Sequence, residues 1–178
     1  MTSAPRPPHP GAPFPDISVP KLGGGELALG KPERAGDWRL LVVYRGKHCP
    51  LCHRYLAGLQ ELAARAEEIG VALAAVSGDP EPKARAFVDE TGVTFPVGYD
   101  LSLEQMQALG LYVSDPRSPQ ETDRPFPEPA VFVVNGDGAV QILDLSNAPF
   151  ARPDLAALLN GIAFVREKDY PIRGRRLP

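Results

Sequence analysis

Cysteine, blocks of like charge and long apolar runs are all scarce in this sequence. Two of the 178 residues are cysteines, and the formal net charge is only -3. A weakly acidic, evenly charged chain lacks the basic surface that attracts nucleic acid or an anionic membrane, so neither partner is expected. No apolar run reaches the length that a membrane-spanning helix needs.

The N-terminus also lacks the order of a secretory signal, in which a charged stretch precedes an apolar one. Prolines interrupt it instead, at positions 5, 7, 8, 10 and 13. We therefore expect a cytoplasmic protein. In that reducing compartment a close cysteine pair is more often catalytic than a structural disulfide.

Chain length and composition favour one domain with its own core. Hydrophobic residues make up 43% of the chain and charged residues 23%, which is ordinary for a soluble globular protein. We expect a flexible Pro-rich N-terminus over residues 1–13, a folded domain over residues 14–168 and a C-terminal tail over residues 169–178. The tail carries a short basic cluster that we interpret as solvated, formed by Arg173, Arg175 and Arg176.

Both cysteines lie in one motif, Cys49-Pro50-Leu51-Cys52, between an apolar run over residues 40–44 and a helical pattern that continues to Ile69. A thiol at the first turn of a helix faces unpaired backbone N–H groups and the positive end of the helix dipole, which favour the thiolate. Because the thiolate is the reactive form, Cys49 is predicted to be an exposed nucleophile with a lowered pKa. Cys52 lies one turn later, and we expect it to be more buried and to close the disulfide.

Positive charge around the motif points the same way. Cations beside a thiol lower its pKa from about 8.5 towards the range of about 3.5–7.5. The alternative for each such side chain is a solvated position on the rim of the loop. The candidates for this supporting role are Arg45, Lys47 and His48.

Other interpretations of the cysteine pair stay open at this point. A structural zinc site needs four Cys or His ligands, and the further ones would have to come from His9, His48 and His53. No second C-x-x-C and no H-x-x-x-H motif is present to supply a second half-site. Two buried structural cysteines fit poorly with the proline between them and the cations around them. We expect no cofactor and no metal.

The remaining patterns alternate between strands and helices. Residues 16–19 and 26–29 predict a hairpin, and the apolar runs 38–44 and 71–76 are typical of strands buried on both faces. Asp79 is predicted to cap a helix that starts at Pro80. Further helices are predicted over 50–69, 103–109 and 153–165, a short strand over 95–97, and a closing hairpin over 130–134 and 139–145. The order predicts an α/β fold, with a mixed central β-sheet flanked by helices on both faces and an N-terminal β-hairpin extension.

Three stretches carry a family resemblance. In residues 42–52 a hydrophobic strand, an aromatic residue and Arg-Gly precede the cysteine motif. Residues 76–100 hold a strand, a helix with an inward Phe and a Phe-Pro strand leading to an Asp, and residues 129–134 begin a Gly-containing hairpin. Together these stretches, within residues 14–165, resemble the peroxiredoxin-like alkyl hydroperoxide reductase / thiol-specific antioxidant (AhpC/TSA) group of thioredoxin-fold proteins.

The resemblance implies a thioredoxin-like fold and thiol-dependent oxidoreductase activity. The implied partners are a disulfide or peroxide substrate and a thioredoxin- or glutathione-type reductant, with a homodimer as a candidate assembly. Pro129 is assigned by resemblance to the cis-proline that lies against the active-site disulfide, with Glu128 and Ala130 beside an extended substrate. A non-catalytic adaptor of the same fold, binding through the loop over residues 114–129, is the competing interpretation.

Several positions depart from the family patterns. Typical peroxiredoxins carry Thr or Ser three residues before the reactive cysteine, where this chain has Gly46, and an Arg ahead of the later strand, where it has Pro129. Thioredoxin carries a buried Asp six residues before its first cysteine, where this chain has Val43. Arg45 is the candidate electrostatic substitute. The choice between peroxide and disulfide chemistry therefore stays open.

Overall fold

Nine strands and five helices alternate along residues 7–176, the part of the chain that the computed structural model describes. The strands are β1 (Ser18–Pro20), β2 (Glu26–Ala28), β3 (Trp38–Val43), β4 (Val71–Val76), β5 (Val97–Gly98), β6 (Val113–Ser114), β7 (Phe126–Pro127), β8 (Ala130–Val134) and β9 (Val140–Leu145). The helices are α1 (Pro50–Glu61), α2 (Ala63–Glu68), α3 (Glu81–Thr91), α4 (Leu103–Ala108) and α5 (Leu155–Lys168).

The central sheet is mixed, as the order of elements predicts. Its strands lie in the order β5-β4-β3-β8-β9, with β3, β4 and β5 parallel and β8 and β9 antiparallel to their neighbours. A helical crossover joins the parallel β3 and β4, whereas a short turn suffices for the β8–β9 hairpin. The strand β3 lies at the centre and is paired on both edges, so its C-terminal end is held by both neighbouring strands.

Side chains of β3 alternate between two cores, since successive residues of a strand point to opposite faces. Leu40, Val42 and Tyr44 pack with buried residues of α1, α3 and α5 on one face. Leu41 and Val43 pack on the other face with the β1–β2 hairpin and α4. The predicted arrangement, with helices on both faces and an N-terminal hairpin, is confirmed.

The helix predicted over residues 50–69 is divided in two. Leu62 separates α1 from α2, with φ -96° and ψ 4°, and its N–H bonds to the carbonyl of Leu59 at 3.0 Å. A bond to the third residue back tightens the turn and redirects the axis. The apolar spacing is the same on both sides of this turn, so the sequence pattern gave no sign of the break.

The segment ahead of the first hairpin is hydrogen-bonded to the β8–β9 hairpin. Gly11 N–H donates to the Val140 carbonyl at 2.8 Å, Val140 N–H returns to Ala12 at 2.9 Å, and Phe14 N–H donates to Gly138 at 2.9 Å. Residues 1–6 of the predicted flexible N-terminus lie outside the described residues, and the domain limits stay a prediction. Within residues 7–176, no helix is both long and apolar enough to cross a bilayer.

Candidate active site

The cysteine motif lies where β3 ends and α1 begins. Cys49 is the N-cap residue of α1, with extended backbone angles (φ -105°, ψ 102°), and Pro50 occupies the first helical position, where its missing N–H costs nothing. The Cys49 Sγ accepts a hydrogen bond from the backbone N–H of Cys52 at 3.3 Å. Both cysteines are free thiols. The sulfur therefore occupies the position that a Ser or Asp oxygen takes in an ordinary helix cap.

The two thiols differ sharply in acidity. The pKa of Cys49 is lowered to about 6, chiefly by the hydrogen bond from the Cys52 side chain, with further help from the Cys52 N–H and from Arg45 and against the effect of burial. The pKa of Cys52 is raised by that same shared hydrogen bond and by burial. The lowered pKa of Cys49 has the direction that its place at the helix start predicts.

The expected exposure of Cys49 is wrong. The residue is 2% exposed and Cys52 is 0% exposed, so both belong to the apolar core on the α1 face of the sheet. The reason is tertiary packing, because the motif joins the core cluster that also includes Tyr44 and Phe87. A reagent has to reach a sulfur that is nearly covered.

Arg45 is the supporting cation that accompanies Cys49. Its Nε lies 3.2 Å from Oε2 of Glu128, in an ion pair whose atoms are not aligned for a hydrogen bond, and its guanidinium stacks 4.8 Å from the Phe126 ring centroid. Glu128 in turn accepts a hydrogen bond from the Ser114 hydroxyl at 2.7 Å. Buried carboxylate and ring together hold the guanidinium beside the motif.

The other two predicted cations do not charge the site. Burial, reinforced by the charge of Arg45, lowers the pKa of His48 to about 4, so its imidazole is neutral at pH 7. Its ring packs edge-on against Phe126, with centroids 4.6 Å apart. The Lys47 ammonium pairs with Glu90 at 3.0 Å, on the exposed side of α3.

Asp79 positions the loop before Cys49 instead of capping α3. Its Oδ2 accepts from the Lys47 N–H at 2.7 Å, and Pro80, which has no side-chain acceptor, is the N-cap of α3. Burial raises the pKa of the Asp79 carboxyl, against the hydrogen bond from Lys47. Gly46 completes this contact: its φ is +139°, and a Cβ there would lie 2.9 Å from the Asp79 carboxylate. A Thr or Ser at this position is therefore incompatible with the loop.

Pro129 does not have the expected peptide geometry. Residues 7–176 contain no cis peptide bond, so Pro129 is trans here. Its carbonyl accepts from the Ser146 N–H at 2.9 Å, and the N–H of Glu128 donates to Tyr112 at 2.8 Å. Ala130 is paired on both sides within the sheet. The cis geometry expected of Pro129 is therefore wrong, and several backbone groups around it are already hydrogen-bonded, whereas the place of a substrate backbone beside it stays a prediction.

Arg152 is a neighbour of the motif that the sequence analysis missed. Its Nη1 lies 3.6 Å from the Cys52 Sγ, although 100 residues separate the two in the chain. The guanidinium also lies over the ring of Tyr55, 4.2 Å from the centroid. Nothing local signals this role, because Arg152 sits in an irregular stretch without periodicity.

A cleft of about 310 Å³ opens beside the motif, between its loop and the Pro-rich segment. The histidines considered as zinc ligands have separate surroundings. His53 Nε2 is within 2.8 Å of the Lys47 carbonyl, and the His48 ring nitrogens have no hydrogen-bond partner. In the described part of the chain, no three His, Cys, Asp or Glu side chains form a group that could hold a metal ion. The cleft beside the motif is lined by residues that include Lys47, His48, Lys83, Glu121, Thr122 and Asp123.

Residues 10–142 match the model of the AhpC/TSA family. The chain belongs to the AhpC/TSA family. The resemblance carried by the cysteine motif, the Phe-Pro strand and the closing hairpin is thereby confirmed. A curated relative in this comparison is the thiol-disulfide oxidoreductase ResA of Halalkalibacterium halodurans, 34% identical over 91 residues, which are 51% of this chain and 50% of that protein. The match thus spans about half the length of that relative.

Solved structures share the fold. A mutant of the peroxiredoxin 6 of Arenicola marina superposes with a TM-score of 0.73 at 22% identity, over 91% of this chain and 75% of that one. The peroxiredoxin-like protein from Aquifex aeolicus gives 0.74 at 17% identity, over 90% of this chain and 89% of that one. Peroxidoxin BcpB from Mycobacterium tuberculosis gives 0.68 at 18% identity, over 96% and 99%. This AhpC/TSA protein therefore has the predicted thioredoxin-like, peroxiredoxin-type fold.

Proposed function

We propose that this AhpC/TSA protein is a thiol-dependent oxidoreductase that reduces or exchanges disulfides through the Cys49–Cys52 pair. The observation that carries the proposal is the Cys49 sulfur acting as the N-cap of α1 with a pKa of about 6, one turn from a second free thiol. At pH 7 such a thiol is about nine-tenths thiolate, roughly thirtyfold more than a free cysteine. The ResA relative, named as a thiol-disulfide oxidoreductase, supports the same chemistry.

The proposed reaction has two displacements. The Cys49 thiolate attacks one sulfur of a substrate disulfide, forms a mixed disulfide and releases the other sulfur as a thiolate. Cys52 loses its proton and attacks the Cys49 sulfur, which forms the intramolecular disulfide and releases the second substrate thiol. The substrate disulfide is reduced to two thiols, and the protein dithiol is oxidised. A thioredoxin- or glutathione-type thiol would return the protein to its dithiol form.

The direct test mixes the reduced protein with glutathione disulfide and follows thiols and protein disulfide by mass spectrometry. The expected result is one intramolecular disulfide per chain. At pH 5 Cys49 should attack glutathione disulfide at least about tenfold faster than a cysteine peptide does, because about 300-fold more thiolate outweighs a nucleophilicity lowered by about ten- to twentyfold. Cys49→Ser is the control and should form no intramolecular disulfide. Equal rates for the protein and the peptide would reject the proposal.

Peroxide reduction is a second candidate, favoured by the burial of Cys49. A sulfur that is 2% exposed, with Arg45 beside it, is more accessible to a small oxidant than to a protein disulfide. In that reaction the O–O bond breaks, Cys49 becomes a sulfenic acid, and condensation with Cys52 releases water. Consumption of hydrogen peroxide much faster than by free thiol would favour this candidate. The absence of a hydroxyl at Gly46 speaks against it.

The assignments around the reaction belong to the same proposal. We propose that Arg45 stabilises the Cys49 thiolate and that Lys47 shapes the loop through its backbone N–H. His48 supplies a neutral wall of the cleft, and Pro129 closes the core behind it. A cytoplasmic location and a homodimer remain proposals, to be tested by fractionation of cells and by light scattering.

A further inference from the structure

A second arginine faces the second cysteine. The Nη1 of Arg152 lies 3.6 Å from Cys52 Sγ, within hydrogen-bonding range of a sulfur. Cys52 is 0% exposed, so a thiolate formed there cannot draw its stabilisation from bulk water. The proposed disulfide exchange nonetheless requires this sulfur to become a thiolate. A buried nucleophile of that kind needs a fixed cation.

Tyr55 fixes Arg152 in place by two contacts. Its ring lies under the guanidinium, with 4.2 Å from the Arg152 Cζ to the ring centroid, and its hydroxyl donates to the Pro153 carbonyl at 2.8 Å. Tyr55 follows Cys52 by three residues on α1, so both side chains lie on one helix face. Asp154, the residue after Pro153, accepts a hydrogen bond from the Ala157 N–H at 2.7 Å and caps α5. The segment carrying Arg152 is therefore held from both sides.

The charged and titratable groups around Cys52 leave Arg152 as its one close cation. Cys49 shares a hydrogen bond with Cys52, Tyr44 lies nearby just after β3, and the backbone of Arg45 forms a hydrogen bond with Cys52. Around Tyr55 the acidic groups are Asp144 and Asp154. Among residues 7–176, no carboxylate lies within 4.0 Å of the Arg152 guanidinium. Its positive charge is therefore not neutralised by a close ion pair.

We propose that Arg152 is a catalytic residue for the second displacement, in which it stabilises the Cys52 thiolate while that sulfur attacks Cys49. The inference rests on the proposed disulfide exchange. In the step, the Cys52 proton leaves to the solvent, the Cys49–Cys52 bond forms, and the bond between Cys49 and the substrate sulfur breaks. The substrate sulfur leaves as a thiolate and takes up a proton. Arg152 changes neither the electron count nor the products; it makes the attacking thiolate available.

The two displacements can be observed separately in one experiment. The reduced protein is mixed with one equivalent of 5,5′-dithiobis(2-nitrobenzoate), which releases one coloured thiolate when Cys49 attacks and a second when Cys52 closes the disulfide. The ratio of the two rates is measured from pH 6 to pH 10 for the native chain, Arg152→Met and Arg152→Lys. In Arg152→Met the second rate is expected to fall about tenfold at pH 7 relative to the first, as for a thiol whose pKa rises by about one unit.

The pH profile separates this role from a structural one. The slow second phase of Arg152→Met should recover at high pH, where Cys52 ionises without help, and Arg152→Lys should restore a large part of the rate at pH 7. Arg166→Met is the matched control, because Arg166 likewise lies over an aromatic ring, 5.0 Å from the centroid of Trp38, but away from the cysteines. It should leave both phases unchanged.

Three outcomes would overturn the proposals, and they do not all reject the same part of them. A first phase no faster than that of a cysteine peptide rejects the proposed function itself. A fast first phase, followed in Arg152→Met by a second phase with the native rate and pH profile, rejects the role of Arg152 alone. A slow second phase that neither high pH nor Arg152→Lys restores would mean that Arg152 only holds the segment in shape, which also rejects the role.

Discussion

Arg39, near the N-terminal end of β3, and Arg45, just past its C-terminal end, are both largely withdrawn from solvent, with side chains 0% and 18% exposed. Arg39 donates to the carbonyls of Leu73 and Lys31 and pairs with Glu33 at 3.0 Å. Arg45 pairs with two carboxylates, Glu128 at 3.2 Å and Glu121 at 4.0 Å, and still lowers the pKa of Cys49. The difference shows how one strand uses the same residue for cohesion at one end and for chemistry at the other.

The partners explain the division. Carbonyl oxygens and a carboxylate accept hydrogen bonds from both terminal nitrogens of Arg39, so these nitrogens serve the fold, while its buried Nε has no hydrogen-bond partner. Arg45 lies beside two carboxylates and an ionisable sulfur, so its charge is shared between Glu128, Glu121 and the Cys49 thiolate. Buried cations stabilise whatever negative charge lies closest to them. Mutations at the two ends should therefore change different measured quantities.

The largest effect is expected at the C-terminal end, from Cys49→Ser. A hydroxyl in place of the thiolate removes the nucleophile, so disulfide exchange should fall to the background rate. Cys52→Ser is the matched control: it keeps the nucleophile and should accumulate a stable mixed disulfide with glutathione, visible by mass spectrometry. Exchange that survives in Cys49→Ser would mean that the chemistry is not located at this end of β3.

At the N-terminal end, Arg39→Met should lower the free energy of unfolding by about 2–4 kcal/mol, because the Leu73 carbonyl in the core and the partly buried Lys31 carbonyl both lose a charged donor. Urea unfolding followed by circular dichroism measures it. Arg34→Met is the control, since Arg34 is 64% exposed in its pair with Asp37 and should change stability by less than about 1 kcal/mol. The pH dependence of Cys49 alkylation should not move in either variant. A shift of that pH dependence in Arg39→Met would show that Arg39 also influences the cysteine.

Removal of Arg45 should change the reactivity of Cys49 and leave the free energy of unfolding nearly unchanged. Because Arg45→Met alone would leave Glu128 buried without a cation, the variant is made in a Glu128→Gln background and compared with Glu128→Gln. The pKa of Cys49 should rise by about one unit, so that alkylation by iodoacetamide below pH 6 slows about tenfold. A stability loss like that of Arg39→Met, without a change in reactivity, would show that both arginines are structural.

The same contrast separates what the sequence could predict from what it could not. The strand β3, the helix start at Pro50 and the hairpins follow from local periodicity and turn residues, and all were predicted. Asp79 was predicted to cap a helix, but its carboxylate accepts a hydrogen bond from the Lys47 N–H, 32 residues away. Arg39 lies inside an apolar run with no local sign that its charge is satisfied. Contacts that depend on folding distant segments together leave no trace in local patterns.

The cysteine motif shows the same limit. Its place between strand and helix predicted the direction of the Cys49 pKa shift, although the largest cause of that shift is the hydrogen bond from the Cys52 side chain, within the same motif. The burial of Cys49 and the contact of Arg152 with Cys52 depend on core packing and on a segment 100 residues away. A motif therefore predicted which atoms react, and the tertiary structure decides how they are reached and which cations serve them.

The smallest predicted effect separates the contribution of Cys52 to the low pKa of Cys49 from the contribution of Arg45. The hydrogen bond from the Cys52 side chain is the largest cause of the low Cys49 pKa. Cys52→Ala removes that donor, whereas Cys52→Ser replaces it with a hydroxyl of similar reach. Because a depressed pKa means that the thiolate forms as pH rises through about 6, the alkylation midpoint should lie near 6 in the native chain and move upward in Cys52→Ala.

The two substitutions should differ by about half a unit, or roughly threefold in rate below the midpoint, with Cys52→Ser closer to the native chain. Both variants lose the resolving thiol, so any difference between them reports hydrogen bonding and not the second displacement. Identical midpoints, both near 6, would assign the acidity of Cys49 to Arg45 and the helix start alone. The cation at this end of β3 would then account for more of the chemistry than the thiol beside it.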